Sequence, residues 1–187
     1  MTIKRILPIA FILMALPAVW GADEQNGQWV LEKSTLTYHV VHPLHEVDGV
    51  SRAARGKGVC QSGQCQFLIA APLKSFDSGD SNRDLHMLQV VRGAEFPLVT
   101  VRTSLPEAST EGSNVRTDLQ IEFAGQTATY KQVQFHEKKK GNEVEITGTI
   151  PATLSDFKIP PPKLLTFPVK NELPIDVDLT WKFVAVK

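Results

Sequence analysis

The sequence predicts an exported all-β domain of antiparallel strands, and three observations carry that expectation. Apolar residues recur at every second position in several runs, glycine-containing turns separate those runs, and the two cysteines flank one such turn. Val115, Thr117, Leu119, Ile121 and Phe123 alternate with Arg116, Asp118, Gln120 and Glu122, which gives one apolar and one wet face. Val144, Ile146, Gly148 and Ile150 follow the same rule, as do Ile175, Val177, Leu179, Trp181 and Phe183. Half-buried antiparallel strands produce this pattern; parallel strands, covered on both faces, do not.

Further strands are expected over 35–42, 53–60, 65–71, 98–103 and 127–135, which makes about eight in all. Ala124-Gly125-Gln126 and Lys140-Gly141-Asn142 sit between alternating runs as hairpin connections should, and Lys138-Lys139-Lys140 reads as part of a solvated turn. Two stretches break the pattern. Over 81–92, Ser81 with Asp84 resembles a capping box, and Leu85, Leu88 and Val91 recur at helical spacing up to Gly93, so one short helix is expected. Over 158–172, Pro160-Pro161-Pro162 and Pro168 lack ladder donors, so an extended loop is expected, either a lid or a plain excursion.

The start of the chain reads as a signal peptide. Lys4 and Arg5 precede an apolar run from Ile6 to Trp20, which is broken only by Pro8 and Pro17. The run is shorter than a spanning helix needs and polar residues follow at once, so no stable membrane anchor is expected. Cleavage after Gly21 places Val19 and Gly21 at the two small positions, giving a signal segment 1–21 and one domain, 22–187. With 20 basic and 20 acidic residues in the whole chain, loss of Lys4 and Arg5 leaves the domain near neutral, and nothing favours a nucleic-acid partner. Cys60 and Cys65 lie in the exported part on either side of Gln61-Ser62-Gly63-Gln64, so a structural disulfide across a hairpin is expected in preference to a metal pair or a redox dithiol.

Strand number alone leaves a sandwich and a closed barrel open. Particular residues go further. From Trp29 the chain reads Ser34-x-Leu36-x-Tyr38-x-Val40-x-His42, then Val47-Asp48-Gly49, then Ser75-Phe76-Asp77-Ser78-Gly79-Asp80-Ser81-Asn82-Arg83-Asp84-Leu85-His86-Met87, then Phe96-Pro97-Leu98-Val99-Thr100-Val101. Phe123-Ala124-Gly125-Gln126-Thr127 and Ser155-Asp156-Phe157 continue the order. In this it resembles the YceI-like family of lipocalin-like polyisoprenoid-binding proteins, over essentially all of 29–183, and Asn82-Arg83-Asp84-x-His86-Met87 is the most specific part. The resemblance implies an eight-stranded antiparallel lipocalin-like barrel with one short helix, whose interior holds an isoprenoid or other long-chain lipid without catalysis. The sequence departs from the family after His86-Met87, where the usual aromatic pair is missing, and the cysteine hairpin is particular to this branch.

Strand parity puts Leu36, Tyr38, Val40 and His42 on the inward face, with His42 at its end as either a ligand contact or a satisfied core histidine. His39, His42 and His45 do not converge on a metal, because three-residue steps alternate faces. Arg83 and His86 on the short helix are candidates for a ligand's polar head, against helix capping and surface pairing as the plainer roles. Val99, Val101, Leu119, Ile121, Val144 and Ile146 complete the expected apolar wall. No cofactor is expected, and no Gly-x-Ser-x-Gly elbow, phosphate-cradling loop or free thiol suggests an enzyme. Asp77 and Asp80 read as turn residues. The expectation is a periplasmic or secreted carrier of a hydrophobic small molecule; the alternative is a packed structural or protein-interaction barrel, and a homodimer is left open.

Overall fold

In a computed structural model, which describes residues 27–106, 114–164 and 166–185, one antiparallel sheet winds round until its first and last strands pair. The expected signal segment and its cleavage point after Gly21 lie outside the described residues. The strands are β1 (Gly27–His42), β2 (His45–Ser51), β3 (Arg55–Gln61), β4 (Gln64–Pro72), β5 (Leu98–Pro106), β6 (Asn114–Phe123), β7 (Gln126–Lys140), β8 (Glu143–Thr153), β9 (Lys163–Leu164), β10 (Phe167–Pro168) and β11 (Glu172–Ala185), with helix α1 (Ser81–Val90) between β4 and β5. Neighbours run β11-β8-β7-β6-β5-β4-β3-β1, and β1 closes the ring by pairing with β11 from Gly27↔Ala185 to Tyr38↔Ile175. The β2 strand lies beside the far half of β1 and continues the stave that β3 begins, so the wall is an eight-stranded closed barrel. Of the two architectures left open by strand number, the barrel is the one formed.

The hairpins follow from their turn residues. Ser62 and Gly63, at φ 52° and 76°, and Ala124 and Gly125, at φ 49° and 76°, take the left-handed pairs of φ that match the twist of the flanking strands. The first of these turns brings Cys60 opposite Cys65, and the two form a disulfide. Its closed loop is short, so replacing both cysteines with serine is expected to cost about 2 kcal/mol by chain entropy and to lower the melting temperature by several degrees, without loss of the barrel. Circular dichroism melts of oxidised protein and the double variant check this.

Two irregularities reset the alternation. Leu31 faces Trp181 while Lys33 faces Thr180, so β1 carries an extra residue there. The inward set therefore changes from Trp29 and Leu31 to Ser34, Leu36, Tyr38, Val40 and His42. In β7, Tyr130 faces Leu119 and Val133 faces Thr117; Gln132 bulges outward at φ 52°, and its backbone N–H donates to the Asp118 carboxylate at 2.9 Å. Beyond that bulge Val133, Phe135, Glu137 and Lys139 share the inward parity. Lys138 and Lys140 face out, and the triple-lysine run is strand rather than turn.

Other boundaries also differ from expectation. The expected strand over 53–60 starts only at Arg55, because Arg52, Ala53 and Ala54 form the break between β2 and β3. The β2 strand was not expected at all. Its Glu46-Val47-Asp48-Gly49 has few apolar side chains, and Gly49 is required by contact: a Cβ there would lie 2.2 Å from the Tyr38 ring. The cap lies one residue before the expected box: the Asp80 carboxylate accepts the N–H groups of Asn82 and Arg83, while Asp84 instead accepts the Ser78 N–H and hydroxyl. Within the proline-rich stretch, β9 and β10 make a minimal hairpin, which Pro168 tolerates at its edge.

On the outer wall His39 joins three strands. Its Nδ1 lies 2.7 Å from Asp48 on β2, and its Nε2 lies 3.0 Å from Asp176 on β11. Partial burial opposes the charged ring, but the hydrogen bonds and charges of Asp48 and Asp176 outweigh it and raise the pKa above the ordinary histidine value. A raised folded-state pKa contributes stability that is complete below the unfolded value, about 6.5, and is lost as pH rises through the folded value. The stability difference between the protein and His39→Gln is therefore expected to be largest below about pH 6 and to shrink toward pH 8; urea titrations across that range check it.

Candidate functional site

The inward faces of the barrel do not meet. They enclose a cavity of about 980 Å³ that runs lengthwise, at the top of the roughly 300–1,000 Å³ range of small-molecule sites. At the helix end it is bounded by His45, Asn82, His86 and Lys163, and at the opposite, hairpin end by Pro106, Lys139, Gly141 and Asn142. Between them the wall is largely apolar.

Every expected wall residue faces this space: Leu36, Tyr38, Val40 and His42 from β1, Val99 and Val101 from β5, Leu119 and Ile121 from β6, and Val144 and Ile146 from β8. Register explains this, since Val101 faces Ile121 across the β5–β6 ladder and cross-strand partners point the same way. Apart from Tyr38, the aromatic rings of the wall were not among the expected wall residues. Phe67 packs edge-on against Trp181 with ring centroids 5.1 Å apart, and Trp29 against Phe183 at 5.4 Å. Toward the helix end Tyr38 meets Phe76 at 5.7 Å, and Phe123 meets Phe157 at 5.1 Å. Tyr38, Phe123, Trp181 and Phe183 stand in alternating runs, whereas Trp29 precedes the expected first strand and Phe76 and Phe157 lie outside the strands, where alternation gives no facing.

Facing glycines help keep the hollow open. A Cβ on Gly148 would lie 2.7 Å from the Phe135 ring, and Gly49 likewise underlies Tyr38. Each ring can therefore lie over its neighbouring strand.

Two polar groups at the helix end, His42 and Arg83, are held by the surrounding chain. His42 is buried; its Nδ1 accepts the Leu44 N–H at 3.2 Å, and its Nε2 donates to the Phe167 carbonyl at 3.2 Å. Both nitrogens are thus engaged, the plainer of the two expected roles, and the ring fastens the β1–β2 turn to β10. Arg83 donates from Nε to the Ser78 hydroxyl at 2.8 Å and from a terminal nitrogen to the Ser78 carbonyl at 2.7 Å. It holds the turn before α1 and also borders the cavity, with His86 beside it on the rim. Burial, with the nearby Asp84 carboxylate, raises the Tyr38 phenol, so the group facing the cavity stays neutral. Asp77 accepts the Gly79 N–H at 2.8 Å, as a turn residue should. His39 points outward whereas the His42 and His45 rings lie tilted against each other with centroids 5.2 Å apart, and among the described residues no group of three or more His, Cys, Asp or Glu is placed to hold a metal.

The hairpin end differs. Glu137 and Lys139 point inward, a placement the sequence reading missed because the β7 bulge reverses the parity of that run. Burial raises the Glu137 carboxyl above its usual range, with Lys139 pulling the other way. Its Oε1 is out of contact with solvent and has no hydrogen-bond partner among the described residues.

The closed barrel, one short helix and largely apolar lumen define a lipocalin-like class of fold. Among solved structures, the chain is similar to a polyisoprenoid binding domain from Saccharophagus degradans implicated in plant cell wall breakdown, with a TM-score of 0.68 and 14% identity over 82% of this chain and 97% of that one. It is also similar to BcnA of Burkholderia cenocepacia, with a TM-score of 0.64 and 17% identity over 79% and 95% of the two chains. No protein-family model matches the sequence, and no curated protein matches it. The likeness is one of fold: the chain has the architecture of the YceI-like barrels to which its motifs point.

Ile121 sits mid-strand on the cavity wall. Replacing it with Phe adds volume where space exists, so the variant is expected to lose most of its capacity for an apolar fluorescent probe while its melting temperature changes by only a few degrees. A collapse in stability with unchanged probe uptake would indicate a packed centre.

Proposed function

We propose that the protein is a non-catalytic carrier of a long-chain lipid, held with its tail in the barrel. The observation that carries this reading is the lengthwise apolar cavity, which a packed structural barrel would not contain. Burial of the tail would drive binding at about 25 cal/mol per Å² of apolar surface, a term that grows with chain length and tolerates varied head chemistry. One solved structure of this fold is described as a polyisoprenoid binding domain, which supports an isoprenoid tail over other chains. Leu36, Tyr38, Val40, His42, Val99, Val101, Leu119, Ile121, Val144 and Ile146 form the tail wall in this reading, and Arg83 and His86 border the mouth through which the ligand passes. The signal segment 1–21 and the hairpin disulfide support action in the periplasm or outside the cell, where disulfides persist.

Native mass spectrometry of protein purified from its own host tests the proposal. A mass exceeding that of the polypeptide by one lipid, which extraction releases, is expected. A bare polypeptide mass that stays unchanged after incubation with isoprenoid or acyl-chain lipids would contradict it.

A further inference from the structure

Polar groups on the cavity wall fall into two sets. At the helix end each is either satisfied by the protein, His42 by Leu44 and Phe167 and Arg83 by Ser78, or exposed to solvent, as His45, Asn82, His86 and Lys163 are. Midway toward the other end, the Thr103 and Thr117 hydroxyls bond to each other at 2.6 Å, and Thr103 also donates to the Asp118 carbonyl. Glu137 breaks this rule. Among the described residues its Oε1 is the one buried side-chain oxygen or nitrogen without a partner. A polar group without a partner inside a protein is costly, and such sites persist where something outside the chain completes them.

From this accounting we infer that Glu137 is a ligand-binding residue at the hairpin end of the barrel, and that it takes a neutral hydroxyl carried on an otherwise apolar chain. The inference rests on the carrier reading and deepens it, because it sets the direction in which the ligand lies. The wall near Glu137 is graded. Phe135, paired with Gly148, lies on the inner side, Ile146 sits directly across the ladder from Glu137, and Lys139, paired with Val144, and Asn142 lie toward the hairpin turn. An amphiphile with its tail toward the Tyr38–Phe76 and Phe123–Phe157 rings at the helix end would therefore bring its head to this carboxyl.

A hydroxyl suits the group in either protonation state, since it donates to a carboxylate and accepts from a carboxylic acid. Burial favours the acid form, in which the same carboxyl both donates and accepts. The terminal torsion of a glutamate is soft, so a small rotation turns either oxygen toward the cavity. An anionic head would instead meet the carboxyl as a like charge whenever it ionises.

Competition of dodecanol and dodecane against a bound apolar fluorescent probe tests this. Wild-type protein is expected to bind dodecanol about tenfold more tightly than dodecane, one good hydrogen bond's worth. Glu137→Leu should equalise the two by weakening dodecanol alone, and Glu137→Gln, which keeps a hydrogen-bonding amide, should retain most of the preference. Lys138→Ala, on the outward face of the same strand, should leave it unchanged. Equal binding of both compounds by the wild type, or a preference that survives in Glu137→Leu, overturns the inference while leaving the carrier reading in place. Failure to bind either compound overturns both.

Discussion

The pairing of β1 with β11 is the constraint on which everything else depends. It joins the two ends of the described chain through a ladder from Gly27↔Ala185 to Tyr38↔Ile175, and without it the sheet would have two long unpaired edges and no interior. A closed sheet of eight strands has a fixed girth, wide enough for side chains to fill or for one small ligand. Which of these happens depends on the side chains. Here aromatic rings lie along the wall over glycines of neighbouring strands, as Tyr38 does over Gly49 and Phe135 over Gly148, so large residues line the tube without plugging it.

The ends of the tube are built differently, and their chemistry follows from the connections. The helix end carries the long excursions. Reciprocal hydrogen bonds between Val50 and Asp77 tie the α1 excursion to β2, and a bond from the Lys170 N–H to the Val41 carbonyl holds the proline-rich segment against β1. Polar side chains there serve as fastenings: His42, Arg83 and Asp84 each spend their hydrogen bonds on backbone or on Ser78. The hairpin end carries tight turns and the Cys60–Cys65 bridge, and there the inward positions pass from apolar to charged at Glu137 and Lys139. Architecture and polarity together give the hollow a direction.

Much of this was legible in the sequence because alternation in an antiparallel strand reports facing directly. The inward parity of β6, β8 and β11 was readable residue by residue, and with the family motifs so were the barrel and its wall. What escaped notice did so for identifiable reasons. The extra residue in β1 puts Trp29 and Leu31 out of phase with Leu36 and Tyr38, so the first half of that strand does not read as part of the second. The β7 bulge at Gln132 did the same to Glu137 and Lys139, which looked like members of a charged surface run. The β2 strand was hidden because its inward positions include a glycine that exists to admit a ring from β1. The role of His42 was open in principle, since hydrogen bonding to Phe167 depends on a segment 125 residues away.

The closed sheet surrounds a largely apolar space. Diffraction from crystals pressurised with xenon tests it directly, because xenon occupies apolar cavities and avoids packed or hydrated ones. Xenon density is expected inside the barrel, between the Phe67–Trp181 pair and Ile121. A lumen without xenon, filled by side chains or by ordered water hydrogen-bonded across it, would contradict it.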